Sequence, residues 1–505
     1  MSNVLAFDYG ASGGRAFLGV FDGKIISIEE VHRFPNEPVT IGKTIHWDIQ
    51  KLRYELLTGI KKSLDYCSYG NNRGTRDRQI NSLGIDSWGV DFGLLDKHGK
   101  LLDNPVHYRD TRTEGMMEQA ALIVPKTELY NTTGIAFQKF NTIFQLLAMK
   151  TSQDPAYKQA HTLLFIPDLL AYFLTGNKAC EYTIASTSMM CDVATREWAG
   201  TMLSRLGLDT KMLPSIIKPG TIAGALTSQV AQELGTREIP FVAVAEHDTG
   251  SAVAAVPFPS GLAGASCAYL SSGTWSLFGV ETDKPVVTEK SLAANYTNEG
   301  GVGGKYRLLK NIMGLWILQE CKRTWDAMGS IKDFETLAAE AKNATPFYSI
   351  IDPDNELFYR PGNMPENINE YLQRTGQRIC PDNAHVVRII LESLALKYRM
   401  VTQELEDILG KTIRQIQIMG GGSQNRLLNQ FTANATGKRV CAGPVEAAVL
   451  GNMAVQLLAM RETGSLDQIR EIIGKSFPAE EFLPTGKREW DDAYGRFAEL
   501  LRRNV

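Results

Sequence analysis

One pattern of apolar residues and glycines occurs twice, and it constrains the fold more than anything else in the chain. The first copy is an apolar run, Val4–Phe7, followed by Asp8-Tyr9-Gly10-Ala11-Ser12-Gly13-Gly14-Arg15 and a second run, Ala16–Phe21. The second copy is Ala268-Tyr269-Leu270, then Ser271-Ser272-Gly273-Thr274, then Ser276–Val280. Apolar runs joined by small, turn-forming residues read as β-hairpins. Placing Gly10 on Gly273 sets Phe7 on Leu270, and Gly19-Val20 then matches Gly279-Val280 if the first turn is longer by three residues. Two hairpins of one kind, each heading half of the chain, predict a duplicated domain. At 505 residues the chain is too long for one core and suits two domains of about 200–250 residues. We expect them at 1–252 and 253–505, with Pro257-Phe258-Pro259-Ser260-Gly261 as a loop or hinge.

Between the hairpins, strand and helix patterns alternate. Asp22-Gly23 turns into a strand over Lys24–Phe34, Asp48–Leu64 has helical spacing with Asp48 as N-cap, and Asn81–Asp86 and Val90–Asp96 read as strands. This alternation predicts an α/β architecture. Leu309–Glu320 reads as an amphipathic helix with Asn311 and Gln319 as its polar members, and Glu446–Leu458 as a small-residue helix made for packing.

The formal net charge of −3 and pI of about 6.2 give no reason to expect a nucleic-acid or anionic-membrane partner, which would need clustered Lys and Arg. Seven cysteines stand singly, without metal-site or redox spacing. No basic leader or long apolar segment is visible. Together these predict a cytoplasmic protein with reduced thiols.

Six segments carry candidate chemistry. The turn Ala11-Ser12-Gly13-Gly14 presents backbone N–H groups in one direction, Arg15 adds positive charge, and Asp8 suits a hydrated Mg²⁺; a nucleoside triphosphate needs all three. An ordinary capped hairpin explains the same residues. The second hairpin has hydroxyls where the first has Asp8, and it too serves as a plain turn. The run Met419-Gly420-Gly421-Gly422-Ser423 allows close backbone approach to a ligand ahead of a helix, yet it is neither a Walker loop nor a dinucleotide fingerprint. In Ala243-Val244-Ala245-Glu246-His247-Asp248-Thr249-Gly250, an apolar strand ends in a carboxylate. Asp248 there is placed either to accept a proton from an attacking hydroxyl or to cap a helix. Asp86-Ser87-Trp88-Gly89-Val90-Asp91 and Tyr108-Arg109-Asp110-Thr111-Arg112 offer hydrogen-bonding groups beside aromatic faces for a sugar, or else strand ends and an ion-pair network.

Taken together and in order along nearly the whole chain, the paired hairpins, His247-Asp248-Thr249 and Gly420-Gly421-Gly422 resemble the FGGY carbohydrate kinases. The resemblance implies a duplicated actin-like (ribonuclease H-like) two-domain fold with a central ligand cleft, closing over its substrates. Gly84–Phe92, Tyr269–Leu277, Thr297-Asn298-Glu299-Gly300-Gly301 and Leu309–Trp316 are most similar to the branch of the family that acts on L-rhamnulose. The implied reaction is ATP-dependent phosphorylation at O1. Asp248 would be the catalytic base, and Gly89, His247, Asp248, Thr249 and Asn311 would bind the sugar. Ala11, Ser12, Gly13, Gly14, Arg15, Thr274, Gln319 and Gly421 would bind ATP, with Asp8 near Mg²⁺ through water. The partners would be small molecules only, and the protein a monomer or small homo-oligomer. Gly13 stands where the family has Ser and Ser423 where it has Cys, and no disulfide carries over. Competing expectations are a kinase for L-fuculose, xylulose or another polyol, an actin-like ATPase switch, and a silent sugar sensor.

Overall fold

The computed structural model describes residues 1–69, 79–258 and 266–503. They form two compact units, one of Met1–Pro257, Thr282–Leu308 and Ala447–Ser476, the other of Phe258–Glu281, Leu309–Glu446 and Phe477–Val505. By packing, two stretches from the later half of the chain therefore belong to the first unit. Ala447–Ala459 does so because its glycine lets two helix backbones touch: a Cβ on Gly451 would lie 1.6 Å from the carbonyl oxygen of Ser251, in the helix Asp248–Ala254. Pro257 and Phe258 lie in neither helix nor strand, and residues 259–261 of the expected hinge lie outside the described residues.

The first unit is built on a sheet with strand order Thr221–Ala225, Pro240–Ala243, Ser82–Ser87, Ser2–Tyr9, Gly13–Phe21, Ile26–Pro35. Ser2–Tyr9 pairs antiparallel with Gly13–Phe21 and parallel with Ser82–Ser87, which sets Asp8 opposite Arg15 on one side and beside Asp86 on the other. The helix Ile49–Tyr69 covers the sheet, and Asp48 caps it by accepting from Lys51 N–H at 3.1 Å. Leu5, Phe7, Leu52, Leu56, Leu83 and Ile85 meet there with at most 1 % exposure. Each such side chain contributes roughly 1.5–3 kcal/mol. A smaller core of Val242, Val244, Ala245, Ala254 and Val455 supports the strand end that leads to Asp248.

In the second unit the strands run Tyr306–Met313, Trp275–Thr282, Cys267–Ser272, Gln415–Met419, Arg439–Ala442, Glu480–Phe482. Cys267–Ser272 pairs antiparallel with Trp275–Thr282 and parallel with Gln415–Met419, repeating the local arrangement of the first unit. This is the duplication expected from the hairpins. The register differs from expectation, however. Phe7 pairs with Ala16, nine residues on, and Leu270 with Phe278, eight on, so the first turn is longer by one residue and Gly279 corresponds to Phe17.

The segment expected as a helix over Leu309–Glu320 is a strand, Tyr306–Met313, followed by a helix, Trp316–Ala327. Gly314 makes the break: a Cβ there would sit 2.7 Å from Ser276 Oγ, and its N–H donates to Thr274 at 3.1 Å. Leu309, Ile312 and Ile317 keep a spacing that suits a helix, but sheet pairing claims the first two. Among the described residues no helix is long and apolar enough to cross a membrane.

Candidate active site

In the first unit the strand Pro240–Ala243 runs on through Val244–Glu246 to His247, the N-cap of Asp248–Ala254. Asp248 is thus the first helical residue and not the cap. Its Oδ1 accepts from the backbone N–H and hydroxyl of Thr249, its next neighbour, and lies 3.3 Å from His247 Nε2. The side chain keeps 34 % of its surface open. Partial burial raises its pKa, His247 opposes the rise, and the Asp8 carboxylate adds to it. A half-open carboxylate with raised basicity, fixed at a strand end, suits proton acceptance.

Buried contacts hold this segment. Glu246 N–H donates to Glu181 Oε2 at 3.1 Å and His247 N–H to Thr183 Oγ1 at 3.2 Å. Ser87 N–H donates to the Glu246 carbonyl at 2.8 Å. That bond brings the Gly89 turn alongside, where Val90 N–H donates to Thr187 Oγ1 at 3.2 Å and a Cβ on Gly89 would come within 3.0 Å of that hydroxyl.

Arg15 Nη2 and Asp8 Oδ2 pair at 2.7 Å at the mouth of the first hairpin. Its turn is pinned by Gly10 N–H on Gly13 at 2.9 Å and by Asn36 Nδ2 on Gly10 at 3.0 Å. Asp86 is fully buried; burial drives its pKa well above the ordinary carboxylate range, Asp8 adds to this, and a hydrogen bond from Asn452 Nδ2 at 2.7 Å opposes it. Asn452 is itself held by Gln456 Nε2 at 2.7 Å, and Gln456 accepts from Ser82 Oγ at 2.8 Å. The small-residue helix Ala447–Ala459 therefore packs as expected and also supports a carboxylate. No local signal marks Asn452 or Gln456, because their partners lie hundreds of residues away.

In two of the segments left open, Asp91 and Asp110 have partners within the fold. Asp91 accepts from Trp47 Nε1 at 2.7 Å, Trp88 Nε1 at 3.0 Å and Tyr108 N–H at 3.1 Å, with burial raising its pKa to about 6 against these donors. Asp110 accepts from Ile45 and Arg112 N–H, and Arg112 Nη2 donates to Gln145 at 2.6 Å.

In the second unit Thr274 Oγ1 donates to Gln319 Oε1 at 3.2 Å. The glycine run fits tightly around Ser272: Gly420 has φ of 82°, and a Cβ on Gly422 would meet Ser272 Oγ at 2.0 Å. Gly421 faces open space, and Asn425 caps the following helix by accepting from Leu428 N–H at 3.0 Å. Thr274, Gln319 and Gly421 thus share one unit. Asn311 is also there, half-buried on Tyr306–Met313, whereas Gly89, His247, Asp248 and Thr249 belong to the first.

Residues 3–255 match the profile of the FGGY family of carbohydrate kinases, N-terminal domain, and residues 268–460 that of its C-terminal domain. The chain is 42% identical over 500 residues to a rhamnulokinase of Bacteroides thetaiotaomicron, covering 99% of both chains. It is 41% identical to a rhamnulokinase of Oceanobacillus iheyensis over 94% of this chain and 96% of that one. Among solved structures, a ligand-bound xylulose kinase from Lactobacillus acidophilus superposes with TM-score 0.80 at 16% identity, covering 100% of this chain and 98% of the other. A glycerol kinase from Plasmodium falciparum with ADP does so with TM-score 0.79 at 16% identity, over 100% and 98%. The actin-like fold implied by the resemblance agrees with these likenesses, and the chain belongs to the FGGY family of carbohydrate kinases.

Proposed function

We propose that the protein transfers the γ-phosphoryl group of ATP to O1 of L-rhamnulose, giving L-rhamnulose 1-phosphate and ADP in the breakdown of L-rhamnose. The observation that carries the chemistry is Asp248, a half-open carboxylate of raised basicity whose Oδ1 is occupied by donors. The sugar is supported by the relatives named rhamnulokinase, matched over nearly their whole length.

In this reading the sugar C1 hydroxyl gives its proton to Asp248 as O1 bonds to the γ-phosphorus and the bond to the β-phosphate oxygen breaks. Gly89, His247, Thr249 and Asn311 bind the sugar. Ala11 to Gly14 present backbone N–H groups and Arg15 its charge to the phosphates, while Thr274, Gln319 and Gly421 hold the nucleotide. The residues suit Mg²⁺: Asp8 stands beside Asp86, whose Oδ1 is buried without a partner. Among the described residues no three side chains form a direct metal cage. Bound there through water by Asp8, Mg²⁺ would neutralise phosphate charge. We assign sugar and proton transfer to a domain at 1–252, nucleotide binding to one at 253–505, and the protein to the cytoplasm, in keeping with free thiols at Cys180, Cys191, Cys267, Cys321, Cys380 and Cys441. We further assign it small molecules as its only partners, and a monomeric or small homo-oligomeric state.

The test is ADP release from Mg-ATP with L-rhamnulose, L-fuculose, L- and D-xylulose, L-ribulose and glycerol, beside a no-sugar control. A clear preference for L-rhamnulose is expected. Preference for another sugar overturns the substrate, and release indifferent to sugar overturns the kinase reading.

A further inference from the structure

Arg307 is wholly buried, and a guanidinium is kept in such a place only by specific partners. Its Nε donates to the Gly300 carbonyl at 2.7 Å, and its Nη2 lies 3.1 Å from Glu299 Oε2 and 3.0 Å from His247 Nδ1. Burial pushes Glu299 up, but the Arg307 charge leads the effects that hold this carboxylate below its ordinary value, so the arginine is charge-balanced. Nothing in the assignment of sugar, nucleotide or base uses either residue.

The chemistry of the contact fixes a proton. A guanidinium has donors only and stays charged, so its hydrogen bond to His247 Nδ1 requires the lone pair of that nitrogen. Glu299 Oε2 also approaches Nδ1, at 3.3 Å, without a hydrogen bond between them. A neutral ring whose Nδ1 accepts carries its hydrogen on Nε2, the nitrogen 3.3 Å from Asp248 Oδ1. Thr249 N–H and Oγ1 donate to that same oxygen, so the polar contacts of the base gather on Oδ1 and leave Oδ2 to receive the sugar proton.

We propose that Arg307, balanced by Glu299, is a positioning residue for phosphoryl transfer, locking His247 as the Nε2–H tautomer and turning that N–H onto Asp248. The proposal rests on Asp248 being the base. Arg307→Met is expected to lower kcat about 10–100-fold, the scale on which a lost outer hydrogen-bond partner weakens a functional histidine, with KM for ATP within about twofold. Arg307→Lys, which still donates, recovers most of that loss. A folded Arg307→Met protein with wild-type kcat overturns the proposal, as does a loss that Lys does not relieve.

A second measurement needs no variant that might misfold. In wild-type enzyme labelled with ¹⁵N-histidine, with the His247 signals identified by their absence from His247→Gln, Nε2 is expected to carry the hydrogen and Nδ1 to be bare. The reverse assignment overturns the proposal even if Asp248→Asn is inactive. Conversely, an active Asp248→Asn overturns the base while leaving the tautomer as found.

Discussion

The two hairpins share one topology and differ in chemistry. Each central strand pairs antiparallel with its hairpin partner and parallel with the next strand. In the first unit that register lines up Asp8, Arg15 and Asp86; in the second the corresponding positions are Ser271, Leu277 and Met419. The same backbone frame has thus been filled with charge in one copy and with one hydroxyl and two apolar side chains in the other. Buried carboxylates raise one another's proton affinity, which suits proton acceptance and metal attachment. A neutral turn against tightly fitted glycine exposes backbone groups, which suits a nucleotide. Frame and chemistry are separable, and only the chemistry distinguishes the roles.

That contrast is broken most sharply at Asp248. Asp248→Asn should fold normally and lose about 10²–10⁴ in kcat, the contribution of a general base, with sugar affinity by calorimetry little changed. Near-normal turnover would remove the first unit's claim to the proton transfer. In the second unit, neighbouring glycines should separate fit from function. Gly422→Ala places a Cβ against Ser272 and should cost about 1–3 kcal/mol in thermal or denaturant unfolding, as overpacking does. Gly421→Ala meets nothing within 4 Å and should leave unfolding unchanged while raising KM for ATP about three- to tenfold, since its open face is where a phosphate or ribose would approach. Equal effects of the two on stability would contradict the tight fit assigned to Gly422.

The concentration of carboxylates in the first unit should also show in its pH response. Burial raises Asp168 from 3.8 to about 7, with hydrogen bonds opposing the rise. For a raised carboxylate, the folded state holds the proton more tightly than the unfolded chain. Its contribution is fully present below about pH 4 and is lost as pH rises through about 7. Asp168→Asn keeps an acceptor for Glu181 N–H, which lies 3.0 Å from Oδ1, and removes the titration. Relative to wild type it should gain on the order of 1–3 kcal/mol at pH 8 and show a flatter stability profile between pH 4 and 7. A parallel profile would place the pH dependence elsewhere. The smallest expected effect is at Thr274: Thr274→Val breaks its hydrogen bond to Gln319 and should weaken ATP binding by about 1 kcal/mol, read as KM for ATP at unchanged kcat.

Features encoded in short windows were legible in the sequence. The hairpins, the Asp48 cap and the carboxylate at the end of Pro240–Ala243 depend on neighbours a few residues away, and runs of residues carried the family. Leu309–Glu320 misled because its apolar spacing fits a helix, while Gly314 marks a break enforced by Ser276, far off in sequence. The turn length was misjudged because Gly279 matched Gly19 by residue type and not by register. Asn452 behind Asp86 and Arg307 behind His247 carry no local mark, since a buried polar partner is defined only by what the fold brings beside it. Thr282–Leu308 and Ala447–Ser476 joined the first unit for the same reason.

The most direct test of the account is ³¹P and ¹H NMR of the products formed by the purified protein from L-rhamnulose and Mg-ATP. The account predicts ADP together with a phosphate monoester coupled to the C1 protons of the sugar, formed in equal amounts. Inorganic phosphate in place of the ester, or an ester at another carbon, would contradict it.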